Sequence, residues 1–121
     1  MELEKQQKQL SDWQIILNKF KEFTGEEPQI DGILFLIGVQ ELGMGYRKFK
    51  KDEKLSVMHI AICTLLEPYG FYEFAGRDED GWPHWNKQEN IPFLESKQQN
   101  KLMTEAIIDY FKKEGWLQGL S

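Results

Sequence analysis

The chain has 121 residues, with 15 basic and 20 acidic side chains and a net charge of -5. That length suits one domain with a single core, and the excess of acid repels phosphate backbones, so composition disfavours general nucleic-acid binding. A lone cysteine, Cys63, excludes an internal disulfide, and the longest uninterrupted apolar run, Ile33 to Ile37, is far too short to span a bilayer.

The opening "MELEKQQKQL" reads as a polar extension over residues 1–10 without the apolar stretch of a secretory signal. With the single cysteine, it points to a reduced, cytoplasmic setting. The first helix is expected to open at Ser11, with Gln14 completing a capping box and Leu10 and Ile15 stapling it. Trp13, Ile16, Leu17, Phe20 and Phe23 then form an apolar stripe at helical spacing, and Gly25 stops the helix.

Asp31 opens a second helix after "GEEPQ". Its run "ILFLIGV" is apolar on every side, which also fits a buried strand, but the Asp cap and Gly43 favour a helix. A third helix is expected from near Asp52 to "EPYG", with Leu55, Met58, Ala61, Ile62, Leu65 and Leu66 on its core side. Its least apolar line carries Ser56, His59, Cys63 and Glu67. Ser96 and Gln99 suggest a capping box for a fourth helix bearing Leu102, Met103, Ala106, Ile107, Tyr110 and Phe111. Gly115 closes it, and "WLQGLS" can fold back through Trp116 and Leu117.

Residues 70–93 fit no helix. They hold six of the 16 aromatics, so the segment is expected to pack as a β-hairpin or ordered loop and not to hang in solvent. Asp80-Gly81 suits a two-residue hairpin turn with positive φ at both positions, and Pro83 suits an edge strand. The fold class is therefore mainly α, a four-helix single domain with an aromatic hairpin inserted between helices three and four. The stretches "LIGVQELG" and "GRDEDGWPHW" resemble small uncharacterised bacterial proteins over about residues 30–95. The resemblance implies no activity and no site residues.

Several places bear chemistry. Asp78, Glu79 and Asp80 lack the spacing of a calcium loop, because Gly76 and Lys87 stand where ligands are needed. "GVQELGMG" lacks the Lys-Ser/Thr of a phosphate loop and closes a helix, the wrong end for an anion. No motif calls for a metal or a cofactor. Trp82 and His84 share one face of an extended strand and Trp85 the other, so one face can seal a core while the other meets a partner. Glu41 puts a negative charge at the negative end of the second helix, where Arg47, Lys48 or His59 is expected to compensate. Cys63 and His59, four apart, are neighbours on a helix and raise the question of an activated thiol, although a plain half-buried face is the simpler account.

"YRKFKKDEK", residues 46–54, carries a local charge of +3 with Tyr46 and Phe49 interleaved, and residues 73–80 carry -3. The two segments can pair within one chain or between two copies. The leading functional reading is a non-enzymatic interaction protein, including a homodimer. Its binding residues are Tyr72, Arg77, Asp78, Asp80, Trp82, His84 and Trp85 on the hairpin with Arg47 and Lys48 on the connector. The alternative is a small enzyme or ligand-binding protein in which Glu41, His59 and His84 supply acid–base chemistry.

Overall fold

The computed structural model describes residues 2–45, 47–89 and 91–115. The fold is mainly α: helices α1 (Glu2–Thr24), α2 (Ile30–Leu42), α3 (Lys51–Leu66) and α4 (Ser96–Lys113), with strands β1 (Tyr72–Arg77) and β2 (Pro83–Lys87) between α3 and α4. One 3-10 turn, Glu67–Tyr69, follows α3 directly. Contacts divide the chain into two compact units, one containing α1 and α4, the other spanning Gln29–Phe93.

In the first unit α1 begins at Glu2, so Ser11 lies inside the helix and caps nothing. The residues before it are largely Glu, Lys, Gln and Leu, all strong helix formers that carry the helix back past the expected start. Gln14 donates to Asn18 one turn on (2.9 Å) instead of reaching back to a cap. Ile16, Leu17 and Phe20 are buried as their spacing predicts, and Phe20 meets Phe111 of α4 edge-on at 5.9 Å. Asp12 is only 2% exposed, with Lys8 at 3.2 Å and Lys112 of α4 at 3.3 Å. This buried carboxylate went unnoticed in the sequence because an Asp on a polar helix face looks solvated. The backbone N–H of Glu95 donates to Gln98 Oε1 (3.0 Å), so the cap of α4 sits one residue before the Ser96–Gln99 pair. The fold-back through Trp116 and Leu117 lies outside the described residues.

In the second unit α2 is a helix, not a strand, and starts at Ile30 with Gln29 rather than Asp31 at the cap position. It packs tightly on α3. A Cβ placed on Gly38 would come within 2.7 Å of Val57 Cγ1, so only glycine allows this approach. The local core holds Leu42, Phe49, Val57 and Ile60, with Phe35, Val39 and Trp82 packed against it. Helix α3 starts at Lys51, where Glu53 accepts a bond from the Lys50 N–H (2.9 Å). Its buried side is Val57, Ile60, Ala61, Cys63, Leu65 and Leu66. The expected core residue Leu55 is instead 66% exposed. The helix is turned so that Val57 faces α2, and the face expected to be least apolar buries Cys63 completely.

The hairpin is antiparallel, with Tyr72 opposite Lys87 and Phe74 opposite Trp85. The register shifts between Phe74 and Gly76, and Gly76 has φ +103. That bulge adds twist to a two-stranded ribbon. Among the described residues no helix is long and apolar enough to cross a membrane.

Candidate functional site

The hairpin connection is a three-residue loop, Glu79–Asp80–Gly81. Asp78 N–H donates to Trp82 O (2.9 Å) and Gly81 N–H donates to Asp78 O (3.0 Å). Of the Asp80-Gly81 pair only Gly81 has positive φ (+84), so the two-residue turn expected from the sequence is replaced by a longer loop closed by one left-handed glycine. The Asp78 side chain organises this loop. Its Oδ1 accepts the backbone N–H groups of Asp80 (2.9 Å) and Trp82 (3.0 Å), and its Oδ2 accepts from His84 Nε2 (2.7 Å). The His84 bond, then the Trp82 N–H, hold the Asp78 carboxyl below its usual range.

Arg77 fastens the hairpin to α2. Its guanidinium donates to the carbonyls of Leu42 (2.9 Å), Glu41 (2.9 Å) and Gly81 (2.7 Å). Leu42 and Glu41 end α2, where carbonyls lack helical partners and the dipole favours a cation. Arg77 therefore places a cation at the negative end of the α2 dipole, bonded to the carbonyls there. Its planar fork spans several acceptors, which a single ammonium cannot do as well.

Arg47 is held elsewhere. It pairs with Glu53 (3.2 Å) and lies 5.0 Å from the Phe49 ring and 5.9 Å from the Trp82 ring. Phe49 itself is 5% exposed, so the aromatic that seemed to interleave with basic residues on a surface belongs to the core. Lys48 is exposed, and Tyr46 lies outside the described residues.

With the loop fixed in this way, the hairpin tip and α3 enclose an open cleft of about 520 Å³. Leu55, Ser56, His59 and Ile60 form the helix wall, and Asp78, Asp80, Trp82, Pro83 and His84 form the hairpin wall. Both histidines and two of the three clustered acids thus meet in one place. Trp82 closes the core from this side while His84 stays exposed. Leu55 completes the cleft, and no sequence signal marks it, because its spacing is that of a core residue.

The other candidates sit apart from the cleft. Tyr72 meets the His59 ring edge-on at 6.1 Å, and Trp85 meets Phe74 edge-on at 5.1 Å. Neither lines the cleft, and nor does Glu41, at the half-buried end of α2. His59 Nε2 is 3.4 Å from Cys63 Sγ, as their spacing suggests. Burial pushes the Cys63 thiol up to about 11, which keeps it protonated at neutral pH and opposes the activated-thiol reading. Among the described residues no group of three or more His, Cys, Asp or Glu is placed to hold a metal ion. No family model, no curated protein and no solved structure matches the chain.

Proposed function

We propose that the chain is a non-enzymatic binding module for a protein partner, with the cleft between the hairpin tip and α3 as its contact surface. The observation that carries this reading is Leu55, a large apolar side chain of α3 that is 66% exposed and lines the cleft with Trp82, which sits on the facing hairpin wall that the Asp78 and Arg77 bonds hold in shape. A preformed surface loses little freedom on binding, and an exposed aliphatic group next to a tryptophan is the kind of patch partners cover. The polar groups around it argue for recognition more than for catalysis. Asp78 is committed to three hydrogen bonds and its carboxyl is held in the weakly basic form, a poor proton acceptor at neutral pH.

A photoreactive residue at position 55 of the full chain tests this. Adducts to a protein are expected from position 55. They are not expected from position 3, where Leu3 is 69% exposed and serves as a control of similar exposure. Equal or absent labelling from the two positions overturns the reading.

One observation favours a second reading. His59 and His84 line the same cleft, as acid–base work on a small ligand would need. Against it, Glu41 does not join them. Titration of the two imidazole signals by NMR with a panel of small acids, amines and nucleotides decides: ligand-dependent shifts at both histidines support a small-ligand site.

A further inference from the structure

We propose that the partner meets the cleft with a cationic segment, one that sets a lysine or arginine beside an aliphatic residue. The proposal rests on the reading of the cleft as a protein contact surface and adds the chemistry of its occupant.

Carboxylates stand on both sides of the apolar centre. On the hairpin wall Asp80 lines the cleft and is exposed, and its carboxylate has no ion-pair partner among the described residues. Glu79, beside it at the tip, is in the same position. On the helix side Asp52 falls on one line of α3 with Ser56 and His59, both of which line the cleft. The Ser56 hydroxyl donates to the Asp52 carbonyl (3.3 Å), as that alignment requires. The Asp52 side chain is exposed and it too lacks an ion-pair partner among the described residues.

Cations do not offset these acids. Among the described residues no lysine or arginine lines the cleft. Arg47, 5.9 Å from the Trp82 ring, is paired with Glu53 and adds no net charge. His84 is bonded to Asp78, and His59 lies 3.4 Å from Cys63 Sγ. Lys54 is two residues from both Asp52 and Ser56, which puts it on the opposite side of α3. Lys51 shares its line with Leu55 and Met58, at the flank of the cleft face. The start of α3 therefore reads as basic in sequence but turns its acid toward the cleft.

A lysine or arginine side chain fits this arrangement. Its methylenes cover Leu55 and Trp82 while the charged head reaches Asp52 or Asp80, and a neighbouring aliphatic residue completes the cover. A neutral or acidic segment would instead desolvate those carboxylates without pairing them, which is unfavourable. The net charge of -5 draws a cationic partner from a distance, so the contact is expected to weaken with salt.

NMR titration of the full chain tests the proposal with three synthetic peptides that share the same leucines and carry lysine, glutamine or glutamate between them. The lysine peptide is expected to shift the Leu55 methyl and Trp82 indole signals and to release them as salt is raised. The glutamine and glutamate peptides are expected to leave both unmoved at the same concentration. Two variants separate the cleft from the charge of the whole chain. Asp52→Asn with Asp80→Asn is expected to weaken the lysine peptide about fivefold, the loss of two exposed charge contacts. Asp31→Asn with Glu89→Gln removes as much charge from exposed positions that do not line the cleft and is expected to change nothing. Circular dichroism checks that both variants fold. A lysine peptide that leaves the cleft signals unmoved, a glutamine or glutamate peptide that binds as well, or equal weakening by the two variants overturns the proposal. If it is overturned and position 55 still labels a protein, the cationic occupant falls and the contact surface stands. If position 55 labels nothing, both fall.

Discussion

His84 Nε2 and Asp78 Oδ2 lie 2.7 Å apart at the turn end of the hairpin, joining the base of the loop to the second strand. The same carboxylate holds two loop N–H groups, so one side chain sets the shape of the hairpin wall of the cleft. Its carboxyl is held below the usual 3.8 by these bonds. A depressed folded value means that the loop gains support from the ionised carboxylate at all pH above the ordinary range. It loses that support as pH falls through the folded value. The backbone N–H signals of Asp80 and Trp82 are therefore expected to titrate together, with a midpoint below 3.8, in NMR spectra of the full chain. Asp78→Asn is expected to abolish that titration. Independent midpoints, or one above the ordinary range, contradict the account of the loop.

Arg77 is expected to matter for stability beyond its charge. Arg77→Lys keeps the cation at the end of α2 but not the fork that reaches three carbonyls. The expected loss is about 1 kcal/mol, and about 2 kcal/mol for Arg77→Met, which also gives up the dipole interaction. Urea unfolding measures both, and equal losses for the two variants would mean that the fork geometry contributes nothing.

Much of this arrangement was legible in advance, and the rest was hidden for identifiable reasons. The hairpin was readable because "FYEFAGRD" and "WPHWNKQ" are too aromatic to hang free and too interrupted by Gly and Pro to form a helix. Its turn was misread because a dipeptide shows which φ values are tolerated, not how many residues the loop takes. Asp78 decides that, by binding N–H groups two and four residues ahead. Leu55 was placed in the core and Cys63 on the less apolar side because α3 has apolar residues all round. Which of them face inward is set by the close approach of Gly38 to Val57, a tertiary fact. Phe49 looked like a surface aromatic for the same reason: its neighbours in sequence are lysines, while its neighbours in space are Leu42, Val57 and Ile60. Of the acid–base trio, two members converge, His59 and His84, and sequence spacing gave no means of telling that Glu41 would stand apart.

The Cys63 thiol is completely buried and pushed up to about 11. At pH 8 its thiolate fraction is roughly two orders of magnitude below that of a free cysteine. Labelling of the native chain by an aromatic disulfide reagent is expected to be slower than that of the urea-unfolded chain by at least this factor. Rapid native labelling would restore the thiol as a chemical group in its own right.

Amide hydrogen exchange across residues 72–87 of the full chain tests most directly whether the cleft has a fixed wall. The N–H groups of Asp78, Asp80, Gly81 and Trp82 each have a partner within the hairpin, so each is expected to exchange far more slowly than in a free peptide. Exchange at free-peptide rates through the loop and both strands would contradict the account, because no preformed surface would then exist for a partner to meet.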